Sequence, residues 1–411
     1  MTKFIVTIIL LQIFISTEIF LILILFIFHI FSKIEWNYYQ KNDSITFFFL
    51  LITIFLFIKI FLFKFSLTLF SIFIIVHFLL IKIFTTNNFF LIYLYFEFSI
   101  FPIIIIIIFD RNSIEKIKAS IWIFIYTFVL AIPFFFYLAK IEGFLIIRTF
   151  FIFFNSWRNY LIVWIIIVKI PIFILHFWLP KAHVESSIYG SIILAALILK
   201  VGGYLIIRWI DIIYNLSKFF FFISNLRIFG SIILSIYCLS ISDFKIIIAY
   251  SSIAHINLII PNINIFRKIS IFSRIILFVS HAFISSVFFY SLNLSYENFK
   301  TKRNLFSKGI NFRFRIILII FLITISNFGF PPLISFFSEI LILSNIIIFF
   351  KKYFFILIIL IYLFSLYRIN FFFNLISGKT KSYFKYFITN LYICLISCWI
   401  FSSIYIFILF N

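Results

Sequence analysis

Apolar residues fill the chain in stretches of about 20, and short polar segments separate these stretches from one end to the other. Such a stretch suits a helix that crosses the roughly 30 Å hydrocarbon core of a bilayer. The ten-residue alternation that is typical of transmembrane β-strands does not occur in the sequence. The pattern therefore predicts an all-α, polytopic transmembrane bundle. We place its spans at 4–32, 46–64, 66–84, 89–109, 119–138, 158–179, 186–208, 219–241, 244–260, 271–295, 314–347, 353–375 and 386–409.

These spans predict one membrane domain over residues 1–411, because neither a soluble domain nor a low-complexity linker interrupts them. The domain is divided into N-terminal helices (1–88), a first helix repeat (89–208), a second repeat (219–347) and C-terminal helices (353–411). The first span, 4–32, is too short for two full crossings, which need about 40 residues. We therefore predict thirteen crossings and, from the positive-inside rule, an N-terminus on the matrix side.

The amino-acid composition supports the membrane assignment and indicates the kind of genome that encodes the chain. The chain is 65% hydrophobic, 11% charged and has a mean hydropathy of +1.26, so a water-soluble globule is excluded. Seventy Phe and a single Met indicate A/T-rich codons and hence an organellar genome. The net charge of +22 would suit nucleic acid or anionic lipid. We favour codon bias and the positive-inside rule, because Lys and Arg are spread over helix ends and short loops.

The sequence gives little support to a metal site, a nucleotide-binding loop or a cleaved signal peptide. Cys238, Cys394 and Cys398 lie in apolar segments without accompanying histidines, so a metal or iron–sulfur site is not expected. There is no Gly-rich nucleotide loop. Residues 1–32 lack the features of a cleaved signal and are interpreted as membrane helix.

Prolines predict two broken helices. Pro171 lies inside an apolar span, two residues after Lys169, and removes a helical hydrogen bond there. Pro331 and Pro332 do the same in a later span, with Glu339 within two turns. Interrupted helices in both halves of a chain are typical of transporters built from inverted repeats. We therefore expect two inverted five-helix repeats, each with one broken helix.

Ionisable residues within the spans are few and alternate between acid, base and imidazole. A charge at such depth costs roughly 2.5–3.5 kcal/mol even on lenient insertion scales, so these residues mark a functional path. Glu97 needs a buried partner, and Lys169 is a candidate. Such a pair forms a switchable proton relay and not a hydrolytic centre. The candidate relay residues are Glu97, Lys169, His176, Lys200, His255, His281 and Glu339.

Other ionisable residues have simpler explanations. His29 and His77 are single histidines in apolar segments and are interpreted as structural. We place His183 and Glu185 in a loop, 180–185, at a helix junction where capping is the expected role.

Several motifs resemble one family of membrane proteins. They are Val168-Lys169-Ile170-Pro171, His176-Phe177-Trp178-Leu179-Pro180-Lys181-Ala182-His183-Val184-Glu185, Leu199-Lys200-Val201-Gly202-Gly203-Tyr204, Asp243-Phe244-Lys245 with Tyr250-Ser251-Ser252, and Gly329-Phe330-Pro331-Pro332 with Glu339. Together they resemble the antiporter-like subunits of respiratory complex I, of the chain 4 or M type. Lys181 is characteristic of that type, because related subunits generally carry an acidic residue at its position.

The resemblance implies a function and a setting. It implies a proton-translocating membrane-arm subunit of NADH:ubiquinone oxidoreductase in the mitochondrial inner membrane, usually with fourteen helices. The resemblance matches six of the seven candidates, Glu97, Lys169, Lys200, His255, His281 and Glu339, to the family's proton path. This chain would hold no cofactor, since NADH, FMN, iron–sulfur clusters and ubiquinone would bind elsewhere in the complex. Its partners would be other membrane-arm subunits, including chain 2-like and chain 5-like homologues, and lipids such as cardiolipin, but not nucleic acid.

Two alternatives remain open. An Mrp-type cation/proton antiporter subunit would share the fold and much of the relay, although Lys181 argues against it. A purely structural assembly subunit would require the relay to be dispensable. Co-purification with flavin- and iron–sulfur-bearing subunits would separate the first alternative from complex I.

Overall fold

The computed structural model describes just over half of the chain. The described residues are 46, 49–50, 52–53, 67–86, 89–109, 113–133, 135, 168–208, 217–259, 268–299, 321–325, 327, 334–349 and 351–376. Packing divides the chain into two compact units, Met1–Ile45 and Thr46–Asn411, and every described residue belongs to the second.

The described residues are almost entirely helical, as the all-α prediction requires. In chain order the helices are α1 (Leu67–Thr85), α2 (Phe89–Phe109), α3 (Ile114–Thr127), α4 (Trp178–Glu185), α5 (Ile188–Ile193), α6 (Leu199–Arg208), α7 (Ser217–Ser240), α8 (Phe244–Ile259), α9 (Lys268–Phe299), α10 (Ile334–Phe349) and α11 (Phe354–Ile376). Among the described residues, six helical stretches are long and apolar enough to cross a membrane, and two shorter apolar helices, α8 and α10, accompany them. The prediction of a polytopic helical membrane protein is confirmed.

Most of the predicted spans that fall on described residues match a helix closely. The span 89–109 coincides with α2, and 244–260 with α8. The span 119–138 begins too late, because Ser113 caps α3 by accepting a hydrogen bond from the backbone N–H of Lys116 at 3.4 Å. The predicted loop 180–185 is also wrong, since these residues belong to α4.

A buried helix with a π segment lies at the centre of the described bundle. Residues Leu194–Ile198 form a π-helical turn between α5 and α6, and this helix packs against α9. The stretch Tyr189–Ile207 is fully buried. A π turn widens the helix locally and is frequent at functional sites, because it frees backbone groups from the regular ladder.

Two glycines allow α6 to approach its neighbours. A Cβ on Gly202 would lie 2.8 Å from Cγ1 of Ile170, and one on Gly203 would overlap the ring of Phe278 on α9. A side chain at either position would therefore push α6 away from the segment after Lys169 or from α9. These glycines bring Lys200 towards both neighbours.

The outer faces of several helices are strongly apolar. Phe355, Tyr362 and Phe373 on α11 are each more than 60% exposed, and α1, α2 and α7 carry similar exposed aromatic or aliphatic side chains. Continuous apolar surface of this extent is unsuited to water but suits contact with lipid. The polar side chains of the bundle lie instead in its interior.

Several predictions fall outside the described residues. These are the single helix over 4–32, the position of the N-terminus, the break at Pro331–Pro332, His29 and the last span, 386–409. The count of thirteen crossings, the inverted repeats and the single-domain organisation stay predictions.

Candidate functional site: a buried row of ionisable side chains

The first pair of the site joins α2 to the segment before α4. Nζ of Lys169 lies 2.8 Å from Oε1 of Glu97, and their side chains are 2% and 6% exposed. The ammonium also lies 4.3 Å from the ring centroid of Phe96, so it has an aromatic face as well as a carboxylate. The contact expected from the sequence is present.

The helix containing Lys169 unwinds at Pro171, as predicted. From 170 to 177 the backbone forms turns, and regular helix resumes with Trp178. His176 lies in this unwound segment, where its ring stacks on Phe177 at 4.4 Å and meets Tyr250 edge-on at 5.7 Å. The structure thus places His176 in an aromatic environment on the α8 side.

Lys200 occupies the first turn of α6, directly after the π segment. Its Nζ donates to the carbonyl of Ala195 at 2.5 Å and lies 2.9 Å from Nδ1 of His281 on α9. The side chain of Lys200 is fully enclosed, with 1% exposure. The π turn therefore supplies a backbone acceptor for an ammonium that has a histidine on its other side.

His255, on α8, belongs to a second group of contacts. Its ring centroid is 6.2 Å from that of His281, and its Nδ1 is 3.5 Å from Oε1 of Glu339 on α10. Its Nε2 contacts Nη2 of Arg368 on α11 and lies 3.4 Å from the hydroxyl of Tyr367. Arg368 Nη2 is 3.9 Å from Glu339, which completes a cluster across three helices.

The structure brings six of the seven candidate residues together in two groups, while His176 lies apart against Phe177 and Tyr250. One is the pair Glu97 and Lys169, and the other runs from Lys200 through His281 and His255 to Glu339. The close approach of Gly202 to Ile170 joins the backbone segments that carry the two lysines. The geometry provides donors and acceptors for proton transfer along the second group.

Sequence reasoning missed two buried ionisable residues near this row. Arg368 is 4% exposed, although it lies in the middle of the apolar helix α11, and this central position was the signal for it. His183 was assigned to a capping role in a loop, but it is fully buried in α4 and stacks on Phe289 at 4.8 Å. Its ring lies within electrostatic range of Lys200 and Lys245.

A surface cavity of about 670 Å³ opens beside α3, α4 and the start of α8. Tyr250, which touches His176, forms part of its wall. The ammonium of Lys181 stands 4.0 Å above the ring of Trp122 at the same cavity. Among mainly apolar lining residues, the charged ones are Glu115, Lys118, Lys181, Glu185 and Asp243. The cavity is thus one residue, Tyr250, away from His176.

Fold and site together define a polytopic helical membrane protein with an ion pair and imidazole groups buried beside a helix that is interrupted at Pro171. The sequence model of the family "NADH:quinone oxidoreductase/Mrp antiporter, TM" matches residues 86–365, and the chain belongs to this family. Within the part of the chain that the structure describes, no three His, Cys, Asp or Glu side chains are grouped to hold a metal ion.

Curated relatives agree with this family. The chain is 32% identical to NADH-ubiquinone oxidoreductase chain 4 of Lumbricus terrestris over 65% of its own length, and 34% identical to that of Locusta migratoria over 64%. The alignments cover 62% and 61% of these two relatives, so the chain spans about three fifths of their length. A chain of respiratory complex I from Thermus thermophilus shares the fold, with a TM-score of 0.72 at 14% identity, over 87% of this chain and 79% of that one.

Proposed function

We propose that this chain is a proton-translocating membrane-arm subunit of NADH:ubiquinone oxidoreductase. The observation that carries the proposal is the row from Lys200 through His281 and His255, all three buried, to the partly exposed Glu339, in which each group lies beside the next. Isolated buried charges are costly, and a row of them linked across four helices has no packing purpose that apolar residues would not serve better.

In this proposal the pair Glu97–Lys169 sets the charge at the head of the row. While the carboxylate and the ammonium are 2.8 Å apart, the positive charge is held in place. When the pair opens, Lys169 releases its proton or repels the charge on Lys200, because two ammonium groups in a low-dielectric interior disfavour each other strongly. A proton then passes from Lys200 towards His281, His255 and Glu339.

The surface cavity beside α4 is the proposed entry for protons. It has charged residues at its rim and Tyr250 at its inner wall, against the ring of His176. His183, buried in α4 within electrostatic range of Lys200, offers a further imidazole on this side. By the positive-inside rule the basic segments around the cavity face the matrix.

The setting follows from the relatives' names and is proposed on that basis. The enzyme would be a translocase in which this chain moves protons, while NADH, FMN, iron–sulfur clusters and ubiquinone bind other subunits. Its partners would include chain 2-like and chain 5-like homologues, with cardiolipin among the lipids, in the mitochondrial inner membrane. The family description also covers Mrp antiporters, but the chain 4 relatives and Lys181 favour the respiratory complex.

The proposal is tested with Lys200→Met in the assembled complex, reconstituted in liposomes. Methionine keeps the length and apolar stem of lysine but has no proton to transfer. Proton-coupled quinone reduction should fall by about 10²-fold, as expected when a positioned proton-transfer group is removed, while NADH oxidation by an artificial acceptor is retained.

The matched control is Lys351→Met, which removes an exposed lysine in the turn before α11 that does not line the cavity. It should leave pumping close to the unsubstituted level. Normal pumping by an assembled Lys200→Met complex would exclude the proposed path.

A further inference from the structure

Arg368 stands at the point where the buried row meets Glu339, yet an arginine cannot itself relay protons at ordinary pH. The row therefore contains a fixed positive charge in contact with two of its members. Nη2 contacts Nε2 of His255 and lies 3.9 Å from Oε1 of Glu339, while Nε donates to the hydroxyl of Tyr367 at 3.3 Å. A guanidinium in this position restricts which atoms of its neighbours can accept or donate a proton.

The contact with Arg368 fixes the tautomer of His255. A guanidinium group has donors only, so Nε2 of the histidine must present its lone pair to it. The neutral ring then carries its proton on Nδ1, the nitrogen that faces Glu339 at 3.5 Å. In this arrangement His255 is set to donate towards Glu339, but its Nε2 is closed to a proton from His281.

The same guanidinium nitrogen is within reach of a second position. Charge-assisted hydrogen bonds between guanidinium and carboxylate are about 2.8 Å long, so a movement of about 1 Å would transfer Nη2 from His255 to Glu339. That movement would free Nε2 of His255 from the guanidinium, with the hydroxyl of Tyr367 still 3.4 Å from it. Tyr367, which accepts from Nε of Arg368, would hold the other edge of the guanidinium in both positions.

Two cavities adjoin Arg368. One of about 80 Å³ is lined by Glu339, Ser365 and Arg368, and a smaller one of about 10 Å³ by Ser251, Thr324 and Arg368. A water needs about 10–15 Å³ on this measure, so the first has room for several molecules and the second for about one. Arg368 therefore lines space for water next to both Glu339 and Ser251.

We propose that Arg368 is a latch on the proton path, a positioning residue that closes Nε2 of His255 until Glu339 is ionised and draws the guanidinium across. Once Nε2 is open, a proton from His281, directly or through one water, bonds to it. The Nδ1–H bond of His255 then breaks, and that proton passes to Oε1 of Glu339. Neutral Glu339 no longer attracts Arg368. Because His255 now carries its proton on Nε2, the guanidinium returns only after water has taken that proton and given one back to Nδ1, and its return then prevents a further transfer. The latch rests on the proposed function.

The test uses Arg368→Gln in the assembled complex, reconstituted in liposomes. Without the latch, His255 accepts and donates freely, so the passive proton conductance of the vesicles should rise. The expected rise is roughly ten-fold, the factor for loss of one hydrogen bond to a charged group. Protons pumped per electron should fall. Adding His255→Asn to Arg368→Gln should abolish the extra conductance, because the route then lacks its imidazole.

Arg274→Gln is the matched control. Arg274 is a fully buried arginine on α9 whose Nε donates to the carbonyl of Ser270 in its own helix at 2.9 Å. Its replacement tests the loss of a buried guanidinium outside the cluster, and the vesicles should stay tight. Arg368→Lys should restore part of the tightness, since it retains the charge but not the fork that spans His255, Tyr367 and Glu339.

If Arg368→Gln leaves the passive proton conductance of the vesicles at the level of the unsubstituted complex, the latch is overturned, whether pumping is normal or reduced. If Arg368→Gln does not assemble, Arg368→Lys decides the matter, and normal tightness with an unchanged ratio of protons to electrons would overturn it. Failure of the latch is distinct from failure of the proposed function. In the first case Lys200→Met still blocks pumping, and in the second it does not.

Discussion

The ion pair at Glu97 and the cluster around His255 bury charge in different ways. Lys169 meets one carboxylate and one aromatic ring, whereas Arg368 meets a histidine, a tyrosine and a carboxylate on three helices. A pair with one ionic contact has two states, closed and open. A cluster with several partners can exchange contacts without exposing a charge. We therefore propose that the pair acts as the switch and that the cluster carries the transfer and gating steps.

The largest effect is expected when the pair loses one member. Glu97→Gln leaves the ammonium of Lys169 buried without its carboxylate, and breaking a buried pair in this way costs about 3–5 kcal/mol. The membrane arm should therefore dissociate at a lower temperature, and proton pumping should fall while artificial-acceptor NADH oxidation is retained.

A double variant, Glu97→Gln with Lys169→Met, supplies the control for this result. It removes both charges, so most of the lost stability should return although pumping does not. If the single and the double variant dissociate at the same temperature, the interaction between Glu97 and Lys169 does not contribute to the stability of the complex. Normal pumping by either would remove it from the mechanism.

A smaller effect is expected when the cluster loses one partner. Tyr367→Phe removes a hydroxyl that accepts from Nε of Arg368, but His255 and Glu339 still adjoin the guanidinium. We expect a cost of about 1 kcal/mol, with assembly and most pumping retained. The measurement is the dissociation temperature of the same complex. If Tyr367→Phe lowers the dissociation temperature as much as Glu97→Gln does, the additional partners of Arg368 do not make the cluster more tolerant than the pair.

Isolated polar residues in apolar spans carried most of what the sequence could predict. Glu97 and Lys169 stand out because each lies well inside its predicted span with apolar residues on both sides, and Pro171 breaks a hydrogen bond whatever its surroundings. These features are local, so the pair and the unwound segment were predictable. The helix bounds of α2 and α8 followed from apolar length alone.

Features that depend on packing were not predictable in the same way. The π segment lies in Leu194–Ile198, where no residue type signals an irregular turn. The burial of His183 requires that α4 be a helix packed beside α9, and the role of Arg368 depends on which face of α11 meets α8 and α10. These contacts join side chains that are far apart along the chain, and a single sequence does not show which of them meet.

The central claim is that the pair and the cluster act in series on one proton path. It is tested most directly by combining Glu97→Gln with His281→Asn and measuring protons pumped per electron against each single variant. Residues that act as one unit are not additive. The account predicts that the double variant pumps no less than the poorer single variant. Losses that multiply, so that the double variant falls well below both, would show two independent routes and would contradict it.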